Sequence, residues 1–233
     1  SHDASKDLGP LHIVSAWASD FGITLGQVAT EEKSNEITAI PQLLELIDVE
    51  DAIVTIDAAG CQKTIAAKIV QGKGDYVLAL KGNQEKLFHD VEFLLLGPIQ
   101  DDGAGGPVSR YVEVEQGHGR LESRTYYQMT APSYLHGRSE WKGLKTIGAA
   151  VRVYEENGIE KRDVRYYLSS LRRNGQQFAK VVRRHWGIEN SLHWSLDMTY
   201  REDESRVRNR TFAENISWLR RMTLGLIKQH PGK

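Results

Sequence analysis

Two short apolar runs, Ala52–Ala58 (AIVTIDA) and Asp75–Leu80 (DYVLAL), bracket a third segment, Thr64–Val70 (TIAAKIV), with glycines at Gly60, Gly72 and Gly74 as breaks. The first run, short, apolar and ending in an acid, predicts a strand covered on both faces, which is the habit of parallel sheets, and the second predicts a further strand. Parallel neighbours need a crossover of a dozen or more residues, and the segment between the runs has that length and a helical composition. With the strand at Gly22–Thr30 and the helix that follows it placed before them, strand–helix–strand–helix–strand predicts a right-handed α/β layer. In such sheets ligands collect at the carboxyl ends of strands. Asp57 stands at such an end. A lone acid there also serves as a turn or helix-capping residue, and the run by itself does not choose between the two.

Upstream, Leu11–Ser19 and Gly22–Thr30 predict two strands joined by a tight turn at Asp20–Phe21–Gly22. Ser34 or Asn35 can then cap a helix carrying Ile37, Ile40, Leu43, Leu44 and Ile47, with Pro41 in its first turn. Downstream, Gln84–Leu96 predicts a helix and 97–107 (GPIQDDGAGGP) a loop. Arg110–Glu115 and Leu121–Tyr127 alternate polar and apolar residues around Gln116–Arg120, the pattern of a hairpin. Lys145–Tyr154 and Lys161–Leu168 predict a second hairpin, with Asn157-Gly158 at its tip. Gln176–Tyr200 predicts one long helix or two in line. Thr211–Gln229 predicts a final amphipathic helix with Phe212, Ile216, Leu219 and Ile227 as its inner face.

One cysteine, Cys61, leaves no internal disulfide and no cysteine-based zinc site, and it reads as a small packing residue. No apolar run approaches the roughly 20 residues of a membrane span, and the polar start, Ser1–Pro10, is unlike a signal peptide. A cytoplasmic protein with no membrane partner is expected. The net charge of −1 hides a division: residues 160–233 hold 16 Lys+Arg against 8 Asp+Glu, so the rest is acidic. A basic C-terminal third points to a polyanion partner, or to a charged helix surface with no partner.

Within that third, Arg183–Asp203 reads RRHWGIENSLHWSLDMTYRED. On a 3.6-residue period Glu189, His193 and Asp197 share one helix face. The row can supply metal ligands or acid–base groups, and it can equally be a solvated stripe. Arg172, Arg173, Lys180, Arg183, Arg184, Arg206, Arg208 and Arg210 are candidates for phosphate contacts, which give affinity without sequence readout. Trp186 and Trp194 can stack on an unpaired base, although core packing is the commoner use of such residues. Glu202 and Asp203 are expected to pair with Arg206 or Arg208.

Six strings in order, VSAWAS (14–19), LGQ (25–27), KSNEITAIPQLL (33–44), TIDAAGCQ (55–62), DYVLALKGNQ (75–84) and HWGIENSLHWSLDMTYREDESRVR (185–208), resemble the DDE transposases of bacterial insertion sequences, in the H-repeat-associated branch. The resemblance covers nearly the whole chain. It implies a ribonuclease H-like fold, a mixed sheet flanked by helices, with a β-rich insertion before the helix that carries the last acid. Residues 1–84 would form the first part of that core, 85–170 the mostly β insertion, and 171–233 the C-terminal helices that complete it. Three carboxylates in this family hold two divalent ions, Mg²⁺ or Mn²⁺. Asp57 matches the second acid and Glu189 the third, and both are implied as catalytic and metal-binding residues. The implied reaction is metal-dependent phosphodiester cleavage and strand transfer. The implied partners are the terminal repeats and target DNA, with a homodimer on DNA as the assembly that two ends would call for.

Two features depart from the family pattern. The first acid belongs upstream of the VSAW strand, and Asp3 and Asp7 lie in a polar leader instead, so the chain is expected to lack that acid. The wider superfamily places Tyr, Arg and Lys around the helix glutamate, where this chain has Val182, His185 and Leu196. His185 can still contact a phosphate, and His193 and Asp197 remain auxiliary candidates. Alternatives to the full activity are a catalytically inactive DNA-binding remnant and a ribonuclease H-like nuclease without joining activity.

Overall fold

The computed structural model describes residues 12–30, 36–104, 106–117, 120–202, 204–207 and 209–230, with backbone only at 116, 117, 120, 121, 189 and 190. The chain divides into two units. One is Val49–Arg183; the other joins Ser1–Asp48 to Arg184–Lys233.

In the Val49–Arg183 unit, β3 (Ile53–Ile56), α2 (Lys63–Gln71) and β4 (Asp75–Leu80) form the expected strand–helix–strand unit, with β3 and β4 parallel and Ile56 opposite Leu78. The chain then runs through α3 (Glu85–Gln100) into two hairpins, β5 (Val108–Gly117) with β6 (Arg120–Thr130) and β7 (Thr146–Glu156) with β8 (Ile159–Ser169). All six strands form one mixed sheet in the order β3-β4-β8-β7-β6-β5. The tip of the second hairpin is Asn157-Gly158, both at positive φ (55° and 75°), as a two-residue type I′ turn requires.

Tyr166 and Tyr167 are consecutive on β8, so their rings point to opposite faces of the sheet. Phe88 of α3 packs edge-on against Tyr166, with centroids 5.5 Å apart. Phe178 of α4 (Gly175–Ile188) packs edge-on against Tyr167 at 5.6 Å. Helices thus cover both faces. Gly148 of β7 makes room for Phe178: a Cβ there would lie 2.6 Å from the ring's Cζ and 3.0 Å from the Tyr127 carbonyl oxygen.

Two expectations change in this unit. β3 is an edge strand, paired among the described residues only with β4, and it is half-buried where burial on both faces was predicted. α3 does not stop at Leu96 but continues through Gly97-Pro98 to Gln100. The reason is packing: Leu87, Val91, Leu95 and Ile99 form one unbroken buried row at four-residue spacing, which carries the helix past the proline.

In the other unit, β1 (His12–Ala18) and β2 (Ile23–Thr30) form a two-stranded antiparallel sheet with a bulge at Ala16/Trp17, so β2 is not a strand of the sheet that holds β3 and β4, against the single α/β layer expected: its short turn to β1 pairs it there instead. Gly22 at φ 65° closes the predicted turn. α1 (Glu36–Leu46) packs on β2, where Gly26 leaves room for Leu43 and Ile47. Pro41 stands in the second turn of α1, because the helix begins at Glu36. α5 (Arg210–Gln229) is capped by Asn209, whose Oδ1 accepts from the Phe212 N–H at 2.9 Å. Gly225 brings α5 close to Ile23.

The inner face of α5 differs from the predicted one. Ser217, Arg221, Leu224 and Gly225 are buried, whereas Phe212, Leu219 and Ile227 are exposed. An ion pair explains the difference. Glu202 Oε1 accepts from Arg221 Nη1 at 2.8 Å and from Ser217 Oγ at 2.7 Å, so the polar side of the helix is drawn inward. Glu202 therefore pairs with Arg221 rather than with Arg206. The other expected members, Asp203 and Arg208, lie outside the described residues.

Candidate active site

The predicted acidic residues fall in different units. Asp57 is in Val49–Arg183, and Glu189 is in the unit that holds Arg184–Lys233.

Asp57 directly follows β3, at its carboxyl end, and is exposed. Its Oδ1 accepts from the backbone N–H groups of Ala59 (3.1 Å) and Gly60 (3.4 Å). This is the turn role that a lone acid at a strand end can have. It uses one carboxylate oxygen; among the described residues Oδ2 has no partner. Turn and ligand roles are thus compatible in one side chain. The loop that follows is held from β4. Asn83 Nδ2 donates to the Ala58 carbonyl at 2.7 Å, and Gln84 Nε2 donates to the Cys61 carbonyl at 3.1 Å. Sequence reasoning passed over Asn83 and Gln84. Their string carried a signal, but the partners are side chain to backbone and more than 20 residues away, beyond the reach of periodicity.

Cys61 is fully buried, and burial pushes its thiol up to about 12. It is a packing residue, as expected, and burial favours its protonated form. The exposed carboxylate of Asp57 is a hard oxygen donor of the kind Mg²⁺ and Mn²⁺ prefer. Among the described residues no group of three or more His, Cys, Asp or Glu is gathered as a metal site.

Glu189 opens a π-helical turn, Glu189–His193, that continues α4, and a second π turn spans Ser195–Thr199. The side chain of Glu189 lies outside the described residues. A 3.6-residue period therefore does not hold through this stretch; π turns are rare and gather at functional sites. Leu192 and Leu196 turn inward with Leu224, against Trp17, Ile188 and Tyr200. His193 and Asp197 turn outward and are exposed. Trp186 is half-buried, but Trp194 is exposed, against the expectation of a core residue, because Leu192 and Leu196 take the inward positions around it.

The basic candidates separate by their partners. Arg172, Arg173 and Lys180 are exposed at the start of α4 and just before it, and Arg173 also touches the Pro107 carbonyl. Arg183 pairs with Glu115, which Arg124 also binds at 2.9 Å; these arginines, Arg124 foremost, hold the Glu115 carboxyl below its ordinary value against a desolvation cost. Arg184 pairs with Asp20 at 2.6 Å. His185 and Arg210 are half-buried, Arg206 is exposed, and Arg208 lies outside the described residues. No described helix is long and apolar enough to cross a membrane.

Comparison with known proteins places the chain in a family. The model of the transposase DDE domain matches residues 1–226. A protein of Escherichia coli O157:H7 named "Putative transposase YncI" is 44% identical over 232 residues, covering 98% of this chain and 59% of the relative. A protein of Escherichia coli strain K12 named "H repeat-associated putative transposase YhhI" is 38% identical over 233 residues, covering 97% of this chain and 61% of the relative. The chain thus spans about three-fifths of the length of these curated relatives.

Proposed function

The chain belongs to the transposase DDE domain family, and on that premise we propose that it is the catalytic core of a transposase that cuts and joins DNA phosphodiesters with divalent metal ions. The family match over residues 1–226 carries the reading. The exposed Asp57 carboxylate at the carboxyl end of β3 supports it, because it presents a hard oxygen that has no partner among the described residues, where α/β sheets hold ligands. The core is ribonuclease H-like, with 85–170 as its β-rich insertion. Asp57 and Glu189 would hold two Mg²⁺ or Mn²⁺ ions. Bound there, the ions would stabilise charge on the attacking and leaving oxygens of the phosphodiester.

Asp57 presents Oδ2 while the Ala59 and Gly60 N–H groups fix its rotamer through Oδ1. Arg172, Arg173, Lys180 and Arg206, exposed and basic, take the phosphate contacts. Arg183 and Arg184 instead tie Glu115 and Asp20 to their helix. The DNA partners are element ends and target, and holding two ends together calls for a homodimer on DNA.

The experiment is Asp57→Asn in the protein at the full length of its relatives, assayed with Mg²⁺ on labelled end DNA and separate target DNA. Cleavage should fall by about 10²-fold or more while DNA binding persists, since a ligand charge is lost and the phosphate contacts remain. Undiminished cleavage would overturn the role of Asp57. A parent that binds DNA without cutting would favour an inactive remnant, and one that cuts without joining a nuclease.

A further inference from the structure

We propose that Asn83 and Gln84 are positioning residues that clamp the Asp57 loop from the end of β4. The inference rests on the reading of Asp57 as a metal ligand and concerns how that ligand is held.

β3 and β4 are parallel, so their carboxyl ends lie side by side, with Ile56 opposite Leu78. The chain leaves β4 at Lys81 and folds at once into the 3₁₀ turn Gly82–Gln84. The Gln84 N–H donates to the Lys81 carbonyl at 3.1 Å and closes that turn. Two side-chain amides then reach across. Asn83 Nδ2 donates to the Ala58 carbonyl (2.7 Å), and Gln84 Nε2 donates to the Cys61 carbonyl (3.1 Å) and lies 3.5 Å from Gln62 Oε1.

The two carbonyls they hold flank the two N–H groups that hold Asp57. Ala59 and Gly60 sit between Ala58 and Cys61, and both donate to Asp57 Oδ1. The loop also ties itself: Cys61 N–H donates to the Ala58 carbonyl at 3.2 Å and Gln62 N–H to the Gly60 carbonyl at 2.9 Å. The buried Cys61 side chain anchors its far end. An order of support follows: β4 fixes the 3₁₀ turn, the turn's amides fix the loop carbonyls, the loop N–H groups fix Oδ1, and Oδ2 is left to face outward in one rotamer. Groups that orient a metal ligand in this way change metal affinity without touching the ion. An exposed acid without them would lose rotamer freedom on binding.

The test uses the 233-residue chain with Asn83→Ala, Gln84→Met and Asp57→Ala. Amide hydrogen exchange at Ala59 and Gly60, followed by NMR without metal, reads the clamp itself. Both clamp variants should raise exchange at these two amides by about 10-fold, with the unfolding midpoint little changed, because Asn83 is exposed and Gln84→Met keeps the volume of a half-buried side chain. Mn²⁺ affinity, read by the paramagnetic resonance of the free ion, reads the positioning role. It should fall by about 10-fold in the clamp variants and further in Asp57→Ala. Unchanged exchange in both clamp variants would overturn the clamp. Raised exchange with unchanged Mn²⁺ affinity would overturn the positioning role while Asp57→Ala still weakens binding. Mn²⁺ affinity that Asp57→Ala leaves unaltered, or a parent chain that binds no Mn²⁺, would overturn the metal reading and the positioning role with it; the exchange data would still decide the clamp.

Discussion

Glu202→Ala should be among the most destabilising single changes in the unit that contains α5, although it removes a charged residue from an irregular segment. The Arg221 side chain is only 8% exposed, and Glu202 is its carboxylate partner at 2.8 Å. The same carboxylate oxygen takes the Ser217 hydroxyl at 2.7 Å. Without Glu202, Arg221 keeps Ser217 as a neighbour, with a 3.3 Å contact to its carbonyl, and its Nε has no partner among the described residues. Removing one member of a buried pair costs about 3–5 kcal/mol, because an uncompensated charge stays in the interior. Glu202 itself is 20% exposed, so water reaches the site and the lower end, about 3 kcal/mol, is expected. For a chain of this size that corresponds to a fall of roughly 6–12 °C in Tm. Glu202→Gln keeps the acceptor oxygen and loses the charge, so it should cost about 1–1.5 kcal/mol, the difference between charged and neutral hydrogen bonds. Urea unfolding followed by tryptophan fluorescence is the assay. Trp17, Trp186, Trp194 and Trp218 all lie in this unit, so the signal reports mainly on it. A shift in midpoint at constant slope would give the loss directly. A Glu202→Ala protein within about 0.5 kcal/mol of the parent would refute the reasoning, since that is the range of ordinary surface changes.

Three further outcomes follow from the geometry. Gly148→Ala should lose about 1–3 kcal/mol in denaturant unfolding, because its Cβ would lie 2.6 Å from Phe178 and overpack the sheet face, and a neutral result would mean that Phe178 does not pack there. Cys61, fully buried with its thiol pushed up to about 12, should resist a thiol reagent such as DTNB at pH 8 in the native protein and react at once in urea; rapid native labelling would contradict its burial. Asp102 is held below its ordinary value of 3.8, first by Arg110 and then by the Tyr127 hydroxyl. Its contribution is therefore present above that value and lost as the pH falls through the lower folded one, so Asp102→Asn should flatten the acid limb of the stability curve below about pH 4; an unchanged limb would show that the pair does not persist in solution.

What the residues revealed in advance was local. Asn157-Gly158 marked a hairpin because positive φ at two successive positions admits few other residues. The DYVLAL run marked β4 to the residue, since a short apolar run between turn signals has one natural reading. The place of Asp57 directly after β3 was legible for the same reason, since it is the acid that ends an apolar run. Where long-range packing decided the outcome, the pattern misled. The inner face of α5 was sought among its apolar residues, but a pair formed with Glu202 turned Ser217 and Arg221 inward and left Phe212 and Ile227 outside. Pro98 predicted a helix end, yet the buried row ending in Ile99 carried α3 through it. A 3.6-residue period predicted regular helix through Glu189, His193 and Asp197, but the backbone there is π-helical, which no apolar count announces. The hold of Asn83 and Gln84 on the Asp57 loop was out of reach for a similar reason: its partners are backbone carbonyls, whose positions only the folded chain supplies.

The central claim is that Asp57 and Glu189 grip the same divalent ions. A crystal structure of the full-length protein with Mn²⁺ and end DNA tests it most directly. The account predicts two ions roughly 3.5–4 Å apart at the carboxyl end of β3, with Asp57 Oδ2 and the Glu189 carboxylate both among their ligands. Ions bound elsewhere, or carboxylates of Asp57 and Glu189 too far apart to share them, would contradict it.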